Sequence, residues 1–258
     1  MTNKTQKLQS LLNAQVGKGG LRNIVAAVQS YDKGLDLVGA AGVADPATGA
    51  PMTPETPYFI ASVTKMYTAA IIMQLHQEKR LDLQAPVSDY LPDALLDGIH
   101  VYKGVDYSRQ LKVFQLVNQT SGLADFETDK PRRGKSVLDE LTAGHDRAID
   151  TAEALRITRT LSPHFAPGTP GRAYYSNLNY RLLGEIIQSI TGKPMAINLR
   201  SASARRWACS TPISTIGPSP APASSRLRFI STMPRSMSPN TFRPMCRMAA
   251  WFRLRPNV

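Results

Sequence analysis

The sequence predicts a mixed fold of the α/β (α+β) class, in which a strand pair near the start is followed by a long helical region. Two observations carry this prediction. Asn23–Ser30 and Leu35–Gly42 are short apolar runs on either side of a turn that contains Asp and Gly, a pattern typical of a β-hairpin. Asn177–Thr191 places Leu and Ile at helical spacing and is followed by Gly and Pro, which end helices. Further strands would have to come from the C-terminal part of the chain.

Most of the remaining elements are expected to be helical. Helices are predicted over Lys4–Val16, about Ser62–Lys79, Leu111–Val117 and Thr151–Thr160, the last with Thr151 as its N-cap. Loops rich in Pro and Gly connect them, and no clear periodicity continues after Pro194.

The basic charge of the chain is concentrated at its C-terminal end. The net charge is +12, yet residues 196–258 contain ten Arg and no Lys, Asp or Glu, which leaves residues 1–195 at +2. A nearly neutral body does not predict a nucleic-acid-binding surface.

No segment of the sequence predicts secretion or membrane insertion. The first ten residues are polar and lack the apolar core of a secretory signal. The longest apolar stretch, around Tyr67–Leu75, is too short and too polar to span a membrane. We therefore expect a cytoplasmic protein without a membrane partner.

Ser62 and Lys65 form a Ser-x-x-Lys pair where a loop enters a predicted helix. Positions i and i+3 lie on one helix face, so the Lys65 amine can reach the Ser62 oxygen. A serine hydroxyl is a weak nucleophile until a base takes its proton, and a lysine kept neutral by its surroundings can be that base. Ser30 and Lys33 share the spacing but fall in the predicted hairpin turn, where no helix aligns them. Taken alone, Ser62 and Lys65 also fit a helix N-cap and a surface lysine.

Further segments accompany this pair in a characteristic order. Thr56–Ala70 contains the pair, Asn118-Gln-Thr-Ser-Gly-Leu123 follows downstream, and Tyr174-Tyr-Ser-Asn177 comes after a Pro/Gly loop. In order and spacing, the chain up to about residue 195 resembles the class C β-lactamase and penicillin-binding-protein family of serine hydrolases. The resemblance implies a β-lactamase/DD-peptidase-like fold.

The resemblance also implies acyl transfer to water through an acyl-enzyme. Ser62 would be the nucleophile, with Lys65 and Tyr175 as the catalytic residues that move protons. Asn177 would hold the substrate or Lys65 by hydrogen bonds, and Gln119 would contact the substrate, a small molecule with an ester, amide or β-lactam carbonyl. Taken singly, Tyr175 also fits a core aromatic residue, and Asn177 a helix N-cap.

No metal and no organic cofactor is implied. The histidines are His76, His100, His145 and His164. They show no metal-ligand spacing, and we expect each at a surface or loop position.

One motif of the family is missing. The resemblance implies a third motif, Lys-Thr-Gly or His-x-Gly, on a strand that lines the site and supplies an oxyanion N–H group. This sequence has no Lys after Lys193 and no His after His164. We therefore expect an incomplete fold, with the C-terminal sheet strands missing, and a weak or inactive enzyme.

The composition of residues 196–258 indicates that they are read out of frame. Codon degeneracy lets Arg205–Thr215 be encoded by DNA whose reading from each third base gives Pro-Leu-Gly-Met-Leu-Asp-Thr-Tyr-Leu-Tyr. In the same frame, Arg247–Val258 can yield Asp-Gly-Gly-Met-Val-Ser-Thr-Pro-Thr-Glu. Both peptides resemble family segments, in family order. We infer a frameshift between about Met195 and Arg205, and thus a truncated hydrolase domain (residues 1–195) and an Arg/Ser/Pro-rich tail (196–258) expected to be disordered.

Two readings compete with an active hydrolase. The chain could be a non-catalytic remnant, or its basic tail, with ten Arg and both Trp, could bind nucleic acid. We do not expect a specific nucleic-acid partner, because such a role leaves the two family-like peptides unexplained.

Overall fold

The computed structural model describes residues 3–30, 32–58, 60–145 and 147–206. Its helices are α1 (Asn3–Asn13), α2 (Thr64–Gln77), α3 (Asp93–Leu96), α4 (Val113–Val117), α5 (Val137–Thr142), α6 (Thr151–Thr158), α7 (Asn177–Thr191) and α8 (Met195–Arg206). Its strands are β1 (Asn23–Ser30), β2 (Leu35–Asp45), β3 (Ala50–Pro51), β4 (Val101–Tyr102) and β5 (Val105–Asp106).

The first three strands form an antiparallel sheet in the order β1-β2-β3, which confirms the predicted hairpin. β1 pairs with β2 along its whole length. α1 packs on the sheet and buries Leu12. Gly39 of β2 permits this close approach, because a Cβ atom there would stand 2.8 Å from the Leu12 Cδ1 atom.

The centre of the helical core is α7, because one face of this helix is apolar along its whole length. The fully buried side chains of this face are Leu178, Leu182, Leu183, Ile186 and Ile187. They pack with buried residues of α2, α4 and α8. The helix ends at Gly192, whose left-handed conformation (φ 65°) is the common way to stop a helix. The predicted bounds of this helix are confirmed.

The helix predicted from about Ser62 begins slightly later. Ala61–Val63 form a short 3-10 turn, and α2 starts at Thr64. Ser62 therefore lies in the turn that leads into α2, while Lys65 lies in the first turn of the helix itself.

The N-cap predicted for α6 is wrong by one residue. The Asp150 side chain accepts a hydrogen bond from the Glu153 N–H at 2.8 Å and so caps the helix. The Thr151 hydroxyl instead donates to Glu185 at 2.7 Å. Asp and Thr are both good caps, and the contact with α7 decides between them.

The folded body extends beyond the boundary expected at residue 195. α8 continues to Arg206, and Leu199 is buried in the same core as α7. The Asn198 amide donates to the Lys193 carbonyl at 2.8 Å and to the Thr191 hydroxyl at 3.0 Å. Disorder was expected over residues 196–258; residues 196–206 belong to α8, and residues 207–258 lie outside the described part of the chain.

His100 lies in the loop between α3 and β4, as expected, yet it is not at the surface. Its side chain is fully buried, with Nε2 at 2.9 Å from the Ser121 carbonyl oxygen. Burial lowers the pKa of His100, because an apolar environment disfavours the charged ring. His100 is thus a structural residue beneath the loop that carries the Thr-Ser-Gly motif.

Candidate active site

Ser62 stands at the entrance to α2, and the backbone before it is unusual. Ala61 has a φ of 45°, in the left-handed region that residues other than Gly rarely adopt. The turn projects the Ser62 hydroxyl outwards, and Lys65, three residues further on, returns its Nζ atom to 3.2 Å from the Ser62 Oγ atom. The pair expected from sequence is therefore in contact.

Tyr175 and Asn177 complete this group from the other side. The Tyr175 hydroxyl lies 2.7 Å from Ser62 Oγ, and Lys65 Nζ donates to Asn177 Oδ1 at 2.7 Å. The Lys65 Nζ atom also lies 4.9 Å from the centre of the Tyr175 ring. Tyr175 is 50% exposed, so a small molecule can reach the hydroxyl pair from solvent.

The segment that carries Tyr175 is held by the loop after α4. The Tyr174 N–H donates to the Gln119 carbonyl at 2.9 Å, and the Ser176 N–H donates to the Gln119 side-chain oxygen at 2.9 Å. The Ser176 hydroxyl donates to the Ala124 carbonyl at 2.9 Å. These bonds fix the backbone on both sides of Tyr175 and so aim its phenol at Ser62.

A second polar layer lies beneath this loop. The buried Ser121 hydroxyl donates to Asn179 Oδ1 at 2.7 Å, and the Asn179 amide donates to the Gln119 side-chain oxygen. His100 donates to the Ser121 carbonyl from the same side, the tautomer that the carbonyl acceptor requires. The layer joins the loop to α7 without exposing these polar groups to water.

Three acidic residues follow the Thr-Ser-Gly motif at alternate positions: Asp125, Glu127 and Asp129. Burial raises the pKa of Asp125, although hydrogen bonds from Thr128 and the Asn177 N–H oppose this effect. Burial and the neighbouring Asp125 charge raise the pKa of Glu127 to about 7, against the opposing charges of Lys65 and Arg181. The site thus has one fully buried carboxyl group, Asp125, and a half-buried one, Glu127.

Asp129 joins the acidic turn to the loop before Tyr175. Its carboxylate accepts hydrogen bonds from His164 Nε2 at 2.8 Å and from the Tyr174 hydroxyl, and the two rings stack with their centres 3.4 Å apart. Burial raises the pKa of Asp129, but these hydrogen bonds outweigh it and hold the pKa below its ordinary value. Burial and the bond to Asp129 raise the pKa of Tyr174 to about 12, so Tyr174 remains a neutral donor.

Four of the five residues expected at the site meet around the Ser62 hydroxyl: Ser62, Lys65, Tyr175 and Asn177. Gln119 is adjacent, but its side-chain oxygen supports Ser176 and Asn179. The sequence interpretation missed Asp125, Glu127 and Asn179. The signal for the two acids was their position just after Asn118-Gln-Thr-Ser-Gly-Leu123, one of the segments that carry the family resemblance.

Two further observations apply to the described ranges. No helix there is long and apolar enough to cross a membrane. No group of three or more His, Cys, Asp or Glu side chains in these ranges is arranged to hold a metal ion.

The family model for Beta-lactamase matches residues 8–207, a range that includes all five expected site residues and α8. This chain belongs to the Beta-lactamase family. The match and the solved structures described below confirm the predicted β-lactamase/DD-peptidase-like fold of the α/β (α+β) class.

The proteins to which this chain is similar include an esterase and an amidase. Protein flp of Staphylococcus aureus (strain COL) is 35% identical over 140 residues, which are 54% of this chain and 24% of that protein. Esterase EstB of Burkholderia gladioli is 32% identical over 163 residues, 61% of this chain and 38% of the esterase. D-amino acid amidase from Ochrobactrum anthropi SV3, solved with D-phenylalanine, superposes with a TM-score of 0.58 at 28% identity, over 76% of this chain and 47% of the amidase. The chain spans about a quarter to a half of the length of these relatives.

Proposed function

We propose that this chain is a serine hydrolase that cleaves an ester or amide carbonyl through an acyl-enzyme on Ser62. The observation that carries the proposal is the position of the Ser62 hydroxyl, 3.2 Å from the Lys65 amine and 2.7 Å from the Tyr175 hydroxyl. A nucleophile, a base and a second proton carrier within hydrogen-bond reach are what acyl transfer requires.

The reaction follows from these contacts. Ser62 Oγ attacks the carbonyl carbon while its proton passes to Lys65 Nζ, and the carbonyl oxygen becomes an oxyanion near the start of α2. The Tyr175 hydroxyl relays a proton to the leaving alcohol or amine, the C–O or C–N bond breaks, and the acyl-enzyme remains. Water then attacks this ester with the same groups as base, which releases the acid and returns the proton to Ser62.

The substrate class is proposed from the site and from the relatives together. Tyr175 and Ser62 are open to solvent, which suits a small molecule, and the relatives include an esterase and an amidase. Asn177 and Gln119 are proposed to contact the substrate. For Gln119 the contact would come from the side-chain nitrogen, since its oxygen is occupied by Ser176 and Asn179.

We further propose that the reaction is slow in this chain. The Ser62 N–H supplies one oxyanion donor, whereas the family motif that would bring the second is missing from the sequence. Loss of one such donor lowers the rate by about 100- to 1,000-fold.

The nucleophile is tested by comparing two serine variants. Ser62→Ala should lower the turnover of a short-chain p-nitrophenyl ester to background, a loss of about 1,000-fold or more. Ser30→Ala is the matched control, because Ser30 has the same spacing to a lysine but ends β1. Equal losses in the two variants, or turnover retained in Ser62→Ala, would refute the assignment.

A further inference from the structure

Asp125 lies directly behind the group around Ser62. It is only 1% exposed, and it accepts a hydrogen bond from the Asn177 N–H at 3.1 Å on its Oδ1 atom. Its Oδ2 atom accepts from the Thr128 hydroxyl at 2.8 Å and faces Asn177 Nδ2 at 3.4 Å. The other end of the Asn177 amide accepts from Lys65 Nζ at 2.7 Å.

The carboxylate determines how the Asn177 amide is oriented. An amide has a donor end and an acceptor end, whereas an ionised carboxylate only accepts hydrogen bonds. Asn177 Nδ2 must therefore point towards Asp125, which turns Oδ1 towards Lys65. A rotation of the amide by half a turn would bring its carbonyl oxygen against the carboxylate, with no donor between the two oxygens.

The orientation of Asn177 in turn decides what Lys65 can do. A neutral lysine amine has two N–H groups and one lone pair, and the lone pair is what takes the serine proton. With Oδ1 facing it, Lys65 uses an N–H group on Asn177 and keeps the lone pair for Ser62. A rotated amide would donate to that lone pair instead and compete with the Ser62 proton.

We propose that Asp125 is a positioning residue, which holds Asn177 so that Lys65 is free to take the proton of Ser62. The proposal rests on the proposed hydrolase function. It adds to that function a residue which touches neither the substrate nor Ser62 and acts through Asn177 alone.

The first test compares Asp125→Asn with Thr128→Val. Asp125→Asn has nearly the same shape but places a donor against Asn177 Nδ2, so it favours the rotated amide. Thr128→Val removes the other partner of Oδ2 and leaves Asn177 in place. The probe is an alkyl fluorophosphonate: Ser62 Oγ bonds to phosphorus, the P–F bond breaks, fluoride leaves, and Lys65 takes the serine proton.

Labelling of Ser62, followed by intact mass, should be about 100-fold slower in Asp125→Asn, in line with the contribution of a general base. Thr128→Val should label within about threefold of the unmodified chain, since it leaves the proposed base in place. Equal rates for Asp125→Asn and the unmodified chain would overturn the proposal. Failure of the unmodified chain to label at Ser62 would instead count against the proposed function.

A double variant that exchanges the Asp at position 125 and the Asn at position 177 distinguishes positioning from general structural support. In the double variant Asp125→Asn with Asn177→Asp, Asn at position 125 donates and Asp at position 177 accepts from both neighbours, so the pairing is restored with opposite polarity. Labelling should recover at least about tenfold over Asp125→Asn when the two are compared near pH 9, where a larger fraction of any lysine is neutral than at pH 7. A double variant as slow as, or slower than, Asp125→Asn would overturn the proposal.

A measurement on the unreacted protein decides the orientation even if labelling fails or Asp125→Asn does not fold. In protein with ¹⁵N-labelled Asn, the side-chain NH₂ signal of Asn177 is identified by its loss in Asn177→Asp. An N–H group bonded to a buried carboxylate should exchange slowly with water. The signal should be protected in the unmodified chain and in Thr128→Val. Rapid exchange in the unmodified chain would overturn the proposal.

Discussion

At the scale of single residues, the site combines reactive groups at its surface with buried carboxyl groups beneath them. Ser62 and Tyr175 are reachable from solvent, whereas Asp125 is buried and Glu127 half-buried behind them. An ionised group in such a position loses hydration, so it lowers the stability of the fold unless partners compensate. Asp125 has such partners in Asn177 and Thr128. The stability that is lost when a buried carboxyl group ionises is therefore better measured at Glu127.

Glu127→Gln should stabilise the protein at alkaline pH and have little effect in acid. The pKa of Glu127 is raised from 4.5 to about 7, so the folded chain keeps this proton after the unfolded chain has lost it. The contribution of this proton to the stability of the fold is therefore fully present below about pH 4.5 and is lost as the pH rises through about 7. At about 1.4 kcal/mol per pKa unit, the raised pKa corresponds to a loss of the order of 3 kcal/mol in the free energy of unfolding.

Urea unfolding near pH 4 and near pH 8.5 checks this prediction, with a difference expected only at the higher value. Glu78→Gln is the control, because Glu78 pairs with Arg80 at the surface, where such pairs contribute about 0–1 kcal/mol. A Glu127→Gln variant no more stable than the unmodified chain at the higher pH would contradict the prediction.

At the scale of elements, apolar periodicity predicts α7 but not α8. α7 has apolar residues on each turn of one face, and its bounds follow from the sequence. α8 has few large apolar residues: Met195, Ile197 and Leu199 are followed by Ser, Ala and Arg. Its place is set by contacts with α2 and α7, which no local pattern records.

Leu199→Ala should destabilise the protein by about 2–5 kcal/mol, because it leaves a cavity in the shared core. Leu199 is 3% exposed, whereas Ile197 on the same helix is 42% exposed. Ile197→Ala is thus the matched control and should change the free energy of unfolding by no more than about 0.5 kcal/mol. Equal effects of the two substitutions in urea unfolding would show that α8 does not pack as described.

At the scale of the whole molecule, the described sheet has a short third strand and β1 pairs with β2 alone in the ranges that the structure describes. The superposed amidase has about twice the matched length, since the match covers 47% of it.

The buried Leu199 lies ahead of Arg205, where the first out-of-frame peptide begins, so we place the inferred frameshift between these two residues.

Restoring the frame after Leu199 should raise kcat/KM for a p-nitrophenyl ester by about 100- to 1,000-fold, because the second oxyanion donor returns. Both chains should be measured with their Ser62→Ala counterparts, so that the difference refers to this nucleophile. Similar rates and similar solubility for the two chains would contradict both the frameshift and the incomplete oxyanion site.

Deleting residues 207–258 should weaken binding to a polyanion while keeping α8. The segment holds seven Arg and no acidic residue, so its removal lowers the net charge from +12 to +5. Such binding depends on the number of neutralised phosphates and falls with salt, so elution from heparin should shift to lower salt. Sequence-selective nucleic-acid binding by the full chain that persists at high salt would favour a binding protein instead.

Local patterns were enough to predict the hairpin, α7 and the family, because turn residues, apolar spacing and the Ser-x-x-Lys and Tyr-x-Asn motifs can all be recognised along the chain. The sequence also named Ser62, Lys65, Tyr175 and Asn177, whose mutual contacts span more than 100 residues of chain. The contact of Asp125 with Asn177, the burial of His100 and the place of Leu199 in the core became clear only from the three-dimensional packing. Burial and hydrogen-bond partners depend on which distant segments pack together, and a pattern along the chain does not contain that information.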